Sequence, residues 1–279
     1  MTRCHDCDRW SVRACDDVAV NRVIQLPAQL ALIAIPVVGW FTQDWSGATT
    51  LAVYWFETVA ACLFIAARVL LQQRWVPRHG HFRYDAPSTD RRSGSTSSFL
   101  SGFLIVSMAF SAAHAVFLGV ILLLLNHNGQ AGFAEVDWRS VGVGCLGVVA
   151  FLVLDFLVDL STLRRWSFWQ MEQLSNRAVS RVIVVHMTLI FGFAAIAITD
   201  APDAFFGVFV VLKTMAALSW AFPQWEPTTP PRWLSRLMNR MPNVHPGKRF
   251  EDFWAKDRAD EAARREKNER PWTSARAKP

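Results

Sequence analysis

Among the titratable side chains that interrupt otherwise apolar stretches of this 279-residue chain, six are the first candidates for chemistry. They are Glu57, His114, Asp155, Asp159, His186 and Lys213. A charged group at the centre of a membrane helix costs roughly 2.5 to 3.5 kcal/mol on insertion scales, so each such group requires a partner or a function. Carboxylates and imidazoles can carry protons between sites, and imidazoles also bind metals.

The stretches that carry these residues are long enough to cross a bilayer. A hydrocarbon core of roughly 30 Å requires about 20 apolar residues per helix. Six segments reach or approach that length: 23–41, 50–71, 99–125, 140–160, 182–198 and 204–222. The sequence therefore predicts an all-α, polytopic membrane helix bundle with six transmembrane helices over 23–222. An N-terminal arm at 1–22 precedes it, and a tail at 223–279 follows.

The distribution of basic residues predicts the orientation of these spans. Lys and Arg concentrate before the first span, between spans two and three, between spans four and five, and after span six, whereas Arg139 is the one basic residue in the opposite loops. The positive-inside rule then places both termini in the cytoplasm, with the spans in the plasma membrane. The net charge of +6 suits anionic inner-leaflet lipid and needs no nucleic acid to explain it.

The expected depth of each of these six residues in the membrane indicates which of them can form pairs. Glu57 is expected to pair with Lys213, with His114 nearby, and Asp155 is expected to pair with His186. Asp159 lies closer to the inner surface and is expected to extend to the interface beside Arg164 and Arg165. These groups either form pairs that specify which helices pack together, or line a polar path through the bundle. The sequence leaves both alternatives open.

Span three carries a polar stripe in addition to its histidine. Ser107 and Ser111 precede His114 by seven and three residues, so all three lie on one helical face. Such a stripe is expected to face the bundle interior or a wet cavity and not lipid.

Two short motifs resemble metal sites. The N-terminal "CHDC" supplies Cys4 and Cys7, but no second pair of ligands follows, so reduced thiols on a weakly structured arm are expected. "RHGH" at 78–81 is expected to form a solvated turn. No cofactor is therefore predicted, and haem or a transition metal at His114 and His186 remains an alternative.

The tail combines an amphipathic segment with a charged end. Arg232, Arg236 and Arg240 recur at helical spacing beside Trp233, which predicts an interfacial helix over about 232–241 in contact with anionic lipid. From about residue 256 the chain is charged and poor in apolar residues, which predicts a solvated helix that frays into a disordered end.

Four motifs resemble, in order and spacing, a group of bacterial multi-pass membrane proteins known only as a domain of unknown function. They are "YWFE" at 54–57, "HAVF" at 114–117, "RVIVVHMTLIFG" at 181–192 and "LKT" at 212–214. The resemblance implies that Glu57, His114, His186 and Lys213 form one constellation. It implies no activity.

Three functions fit these observations. The first is a non-catalytic membrane subunit or scaffold that recruits a protein partner through residues 223–279. The second is a proton- or ion-coupled carrier of a small solute that uses Glu57, His114 and Lys213. The third is a membrane metal or haem protein. The absence of a complete catalytic motif from the sequence favours the first over an enzyme.

Overall fold

The computed structural model describes residues 45–87, 97–127, 135–180, 227–241 and 249–273, together with isolated positions in 35–43, 129–132 and 187–215. Within these ranges the chain is helical, and no strand is present. The helices are α1 (Gly47–Trp75), α2 (His79–Phe82), α3 (Phe99–His127), α4 (Trp138–Leu160), α5 (residues 168–180), α6 (Arg232–Met238) and α7 (Phe250–Glu269). A single 3-10 turn, Leu163–Arg165, separates α4 from α5.

Helices α1 and α4 begin side by side and run parallel. The Ser46 side chain accepts a hydrogen bond from the Thr49 amide at 3.1 Å, which caps α1, and its hydroxyl donates to the Glu135 carbonyl at 2.5 Å. Asp137 caps α4, and its amide donates to the Thr49 hydroxyl at 3.0 Å. These caps satisfy amides that a helix start leaves without partners and fix the two starts at one level.

Helix α3 runs in the opposite direction and packs on the other side of α1. Its first residue, Phe99, belongs to a buried cluster at the far end of α1, together with Val69 and Phe168. Further along, the Trp55 indole donates to the Ser111 carbonyl at 2.9 Å. Helices α1, α3 and α4 therefore form an up-down-up arrangement, as three consecutive spans would.

Three helices in the described part of the chain are long and apolar enough to cross a membrane: Gly47–Trp75, Phe99–Val120 and Trp138–Leu160. They correspond to the segments predicted at 50–71, 99–125 and 140–160. The segments predicted at 23–41, 182–198 and 204–222 lie outside the described residues, apart from isolated positions. The N-terminal arm with Cys4 and Cys7 also lies outside them.

Helix α7 packs on the rest of the described protein. Helix α7 extends over 20 residues, and the segment after it pairs with α2, where Arg78 and Pro271 form an antiparallel bridge. Trp272 stacks on Phe82 with ring centroids 4.7 Å apart. The helix predicted from about residue 256 is therefore present, but it packs on the protein instead of being fully solvated, and the disordered end predicted after it is not found up to residue 273. The stabilising contacts are tertiary, so local composition does not reveal them.

Candidate functional site

One arginine of α1 holds two carboxylates of α4. The Arg68 Nη2 atom lies 2.7 Å from Asp155 Oδ2 and 2.9 Å from Asp159 Oδ2, and Arg68 Nε donates to the same Asp159 oxygen at 3.0 Å. The guanidinium also lies over the Phe156 ring, 5.2 Å from its centroid. We call Arg68, Asp155 and Asp159 the ion triad. It connects two parallel helices near their common end.

The ion triad corrects the expectation for Asp159. That residue is 2% exposed and binds Arg68, so it does not extend toward Arg164 and Arg165. The expected partner of Asp155, His186, lies outside the described residues. Sequence reasoning did not single out Arg68, although two signals pointed to it. Arg68 lies inside an apolar span, and Asp155 and Asp159 are four residues apart on one helical face of another span.

The residues of the motif constellation are buried where the structure describes them. Glu57 on α1 is 4% exposed and His114 on α3 is 5% exposed. Ser107 and Ser111 are also buried, which places the polar stripe of α3 on its inward face. Lys213 lies outside the described residues, so its predicted pairing with Glu57 stays a prediction.

The "RHGH" motif is part of the buried structure, which contradicts the expected solvated turn. His81 is fully buried: its Nδ1 accepts from the Arg78 amide at 3.1 Å, and its Nε2 lies 3.2 Å from Gln72 Oε1. Gln72 in turn donates to the Trp166 carbonyl at 2.8 Å. Burial, reinforced by the positive charge of Arg78, lowers the pKa of His81 from 6.5 to about 4. The imidazole is therefore neutral and connects the end of α1 to the turn after α4.

A second buried ion pair attaches α7 to α5. Arg264 Nη1 lies 2.9 Å from Glu172 Oε1, and Arg264 Nη2 donates to Glu172 Oε2 at 3.1 Å, so the pair is bidentate. The two side chains are 9% and 4% exposed. The Tyr84 hydroxyl donates to the same carboxylate at 2.5 Å, and burial together with the Glu172 charge raises the pKa of Tyr84.

Two further contacts fix α7 to the loop between α1 and α3. Asn268 is 1% exposed, and its amide group both donates to the Asp85 carbonyl and accepts from the Asp85 amide, at 2.9 and 3.1 Å. Glu269 forms an ion pair with Arg78 and accepts from the Phe168 amide at 2.7 Å, which satisfies an orphan donor at the start of α5. We call α2, the start of α5 and α7 the platform.

A model of one protein family, described as "Family of unknown function (DUF6498)", matches residues 20–244. The chain belongs to this family. The match confirms the resemblance to a domain of unknown function that the four motifs indicated. No curated protein and no solved structure matched the chain.

The DUF6498 match covers the three apolar helices, the ion triad and α6, whereas α7 lies beyond it. The ion pair between Arg264 and Glu172 therefore joins a residue outside the matched region to one inside it. The same holds for the contacts of Asn268 with Asp85 and of Glu269 with Arg78.

Helix α6, at the end of the DUF6498 match, has the exposed surface that its sequence predicted. Trp233 and Leu237 lie one helical turn apart and are 65% and 53% exposed, and Met241, three residues beyond the end of the helix at Met238, is 49% exposed. Arg232, Arg236 and Arg240 form an adjacent exposed row. Contact of this surface with lipid stays a prediction.

Among the described residues of this DUF6498 member, no group of three or more His, Cys, Asp or Glu side chains could hold a metal ion. His186, Cys4 and Cys7 lie outside those residues. The metal and haem alternative is therefore still a prediction from sequence.

Proposed function

We propose that the chain is an integral membrane protein with a non-catalytic role, a subunit or scaffold whose platform holds a partner protein at the cytoplasmic surface. The single observation that carries this proposal is the attachment of α7. A buried bidentate ion pair holds it to Glu172 of α5, and two hydrogen bonds of Asn268 hold it to Asp85 in the loop before α3. Its opposite face, which includes Ala259 and Ala262, is exposed and remains available for contact.

The membrane location is supported by the outward faces of the apolar helices. Ile105, Val116, Leu123 and Leu146 are all at least 68% exposed. Such a surface in water would drive aggregation, whereas lipid covers it without cost. The basic loops and tail favour the cytoplasm as the side on which the platform lies.

Helix α6 supports the same placement. Its exposed apolar row suits the acyl boundary of the inner leaflet, and its exposed arginines suit anionic headgroups. A spin label at Leu237→Cys, in full-length protein reconstituted with phosphatidylglycerol, should be accessible to oxygen and protected from a water-soluble relaxing agent. A label that is fully water-accessible would contradict the placement.

The scaffold role is tested by the mass of the complex. The full chain, extracted from its native membrane in a mild detergent, should elute with a second protein in fixed stoichiometry. Arg264→Met should lose that protein, whereas Arg270→Met, in an exposed ion pair, should retain it. A folded chain that elutes alone under mild extraction would overturn the proposal.

A second candidate is the proton- or ion-coupled carrier, which is favoured by the burial of Glu57 and His114 in apolar helices. Lys213 would complete its path. Proteoliposomes with an imposed pH gradient separate the two candidates. Proton flux that Glu57→Gln abolishes while the protein stays folded would establish the carrier, and leakage equal to that of protein-free liposomes would exclude proton transport.

A further inference from the structure

The inward face of α3 carries three polar side chains in a row. Ser107, Ser111 and His114 are 2%, 4% and 5% exposed, whereas Ile105 and Val116 on other faces of the helix are 69% and 68% exposed. The helix therefore directs its polar groups inward and its apolar groups outward. This is the reverse of a helix on a water-soluble protein and is typical of a polar interior within a membrane bundle.

The two serine hydroxyls have no hydrogen-bond partner among the described residues. Neither Ser107 Oγ nor Ser111 Oγ makes a hydrogen bond within the part of the chain that the structure describes. Other buried hydroxyls on these helices do find one: Thr58 donates to the Tyr54 carbonyl at 3.1 Å, and Ser175 donates to the Met171 carbonyl at 3.1 Å. A buried hydroxyl without a partner is costly, and in native proteins it commonly indicates bound water.

The spacing of the stripe suits water molecules as bridges. At a rise of 1.5 Å per residue, Ser107 and Ser111 are about 6 Å apart along the helix, and Ser111 and His114 about 4.5 Å apart. One water that makes two hydrogen bonds of about 2.8 Å joins groups up to roughly 5.6 Å apart, which covers the step from Ser111 to His114, whereas the step from Ser107 to Ser111 takes two waters in series. A buried water also needs two to four polar partners, which consecutive members of the stripe supply together.

We propose that Ser107, Ser111 and His114 form a buried hydration site, a short file of water molecules along the inward face of α3. Through these waters the His114 ring exchanges its proton with solvent although the side chain is buried. The site requires α3 to lie in the bundle, but it does not depend on the scaffold role. It is also the feature that a proton-dependent activity of this family would require.

Water-edited solid-state NMR tests the site in the full-length protein, with ring-labelled histidine, in liposomes of phosphatidylcholine and phosphatidylglycerol. The measured quantity is the rate at which magnetisation passes from water to each histidine ring. The chain offers two internal references: His127 is exposed, and His81 is fully buried with both ring nitrogens next to protein groups. The signal that disappears in His114→Gln assigns His114.

We expect the His114 signal to build up nearly as fast as that of His127 and several-fold faster than that of His81. In the Ser107→Ala/Ser111→Ala variant the fast build-up should be lost, while the His81 signal keeps its position and so reports an intact fold. A wild-type His114 signal as slow as that of His81 would overturn the proposal. So would a fast signal that the double substitution leaves unchanged. Neither result bears on the scaffold, whose test is the mass of the complex.

Discussion

Arg68 and Asp159 lie 2.9 Å apart, and each is 2% exposed. One residue belongs to the second predicted span and the other to the fourth, so the pair connects helices that are separated by an entire span in the sequence. Because Arg68 also holds Asp155, a single guanidinium binds two carboxylates. The ion triad thus specifies which helices pack together and in which register.

Arg68→Met should destabilise the protein strongly, because it leaves two carboxylates in the bundle without their cation. Breaking a buried ion pair typically costs about 3 to 5 kcal/mol. Unfolding in detergent by heat or denaturant measures the loss. The matched variant Arg68→Met/Asp155→Leu/Asp159→Leu should recover most of the lost stability, because none of the three positions of the ion triad then carries a charge. A loss below about 0.5 kcal/mol in the single variant, as for an exposed pair, would contradict a structural role for the ion triad.

Arg264→Met should release α7 from the platform. The substitution leaves the Glu172 carboxylate, which is 4% exposed, without its arginine. We expect this to lower the free energy of unfolding by about 3 kcal/mol. Limited proteolysis should then cut within 250–273, where the wild type is protected. Arg270→Met breaks an exposed pair on the same helix and should change stability by less than about 0.5 kcal/mol. Equal protease resistance in the wild type and Arg264→Met would contradict the importance of the buried pair.

The stability of the protein should fall in acid because of His81. The folded state holds the pKa of His81 at about 4, below its ordinary 6.5, so protons bind the unfolded chain first. This contribution is fully present above pH 6.5 and is lost as the pH falls from about 6.5 to about 4, by on the order of 3 kcal/mol. Unfolding curves across this window measure it. His81→Gln should show a smaller decline, and parallel profiles for the two proteins would refute the assignment.

Gly144 of α4 lies against the side chains of Trp45 and Val53 at the start of α1. A Cβ atom at this position would lie 2.7 Å from the Trp45 ring and 2.9 Å from Val53, so Gly144→Ala should cost about 1 to 3 kcal/mol through overpacking. Gly142, two residues earlier on the same helix, would meet nothing within 4 Å. Gly142→Ala should therefore leave stability unchanged or raise it by up to about 1 kcal/mol. Thermal unfolding of the two variants measures both changes in stability. Equal changes for Gly144→Ala and Gly142→Ala would show that the close packing at Gly144 is absent.

The three apolar helices that the structure describes could be predicted well, because the length of an apolar segment can be seen from the local sequence alone. The segments 50–71, 99–125 and 140–160 became helices Gly47–Trp75, Phe99–His127 and Trp138–Leu160. The inward direction of Ser107, Ser111 and His114 also followed from helical spacing alone. Only the absence of a hydrogen-bond partner for the Ser107 and Ser111 hydroxyls among the described residues needed coordinates.

The platform could not be predicted because its contacts join residues far apart in sequence. Asp85 and Asn268 are 183 residues apart, and Arg78 and Glu269 are 191 residues apart. All four residues lie in polar stretches of the sequence that resemble ordinary solvated loops. Arg68 was missed for another reason: the expected depths paired Glu57 with Lys213 and Asp155 with His186, and Arg68, in the same span as Glu57, was not considered as a cation for Asp155 or Asp159.

The most direct measurement of the scaffold role is site-specific photo-crosslinking in the native membrane. A photoreactive residue at Ala259, on the exposed face of α7, should capture one defined protein. The same photoreactive residue in place of Ile105, which is 69% exposed on an apolar helix, should not capture that protein. We expect the Ala259 adduct to persist in Arg270→Met and to disappear in Arg264→Met at equal amounts of folded protein. No protein adduct at Ala259 in the intact, folded chain, or one that Arg264→Met leaves unchanged, would contradict a platform that binds a partner.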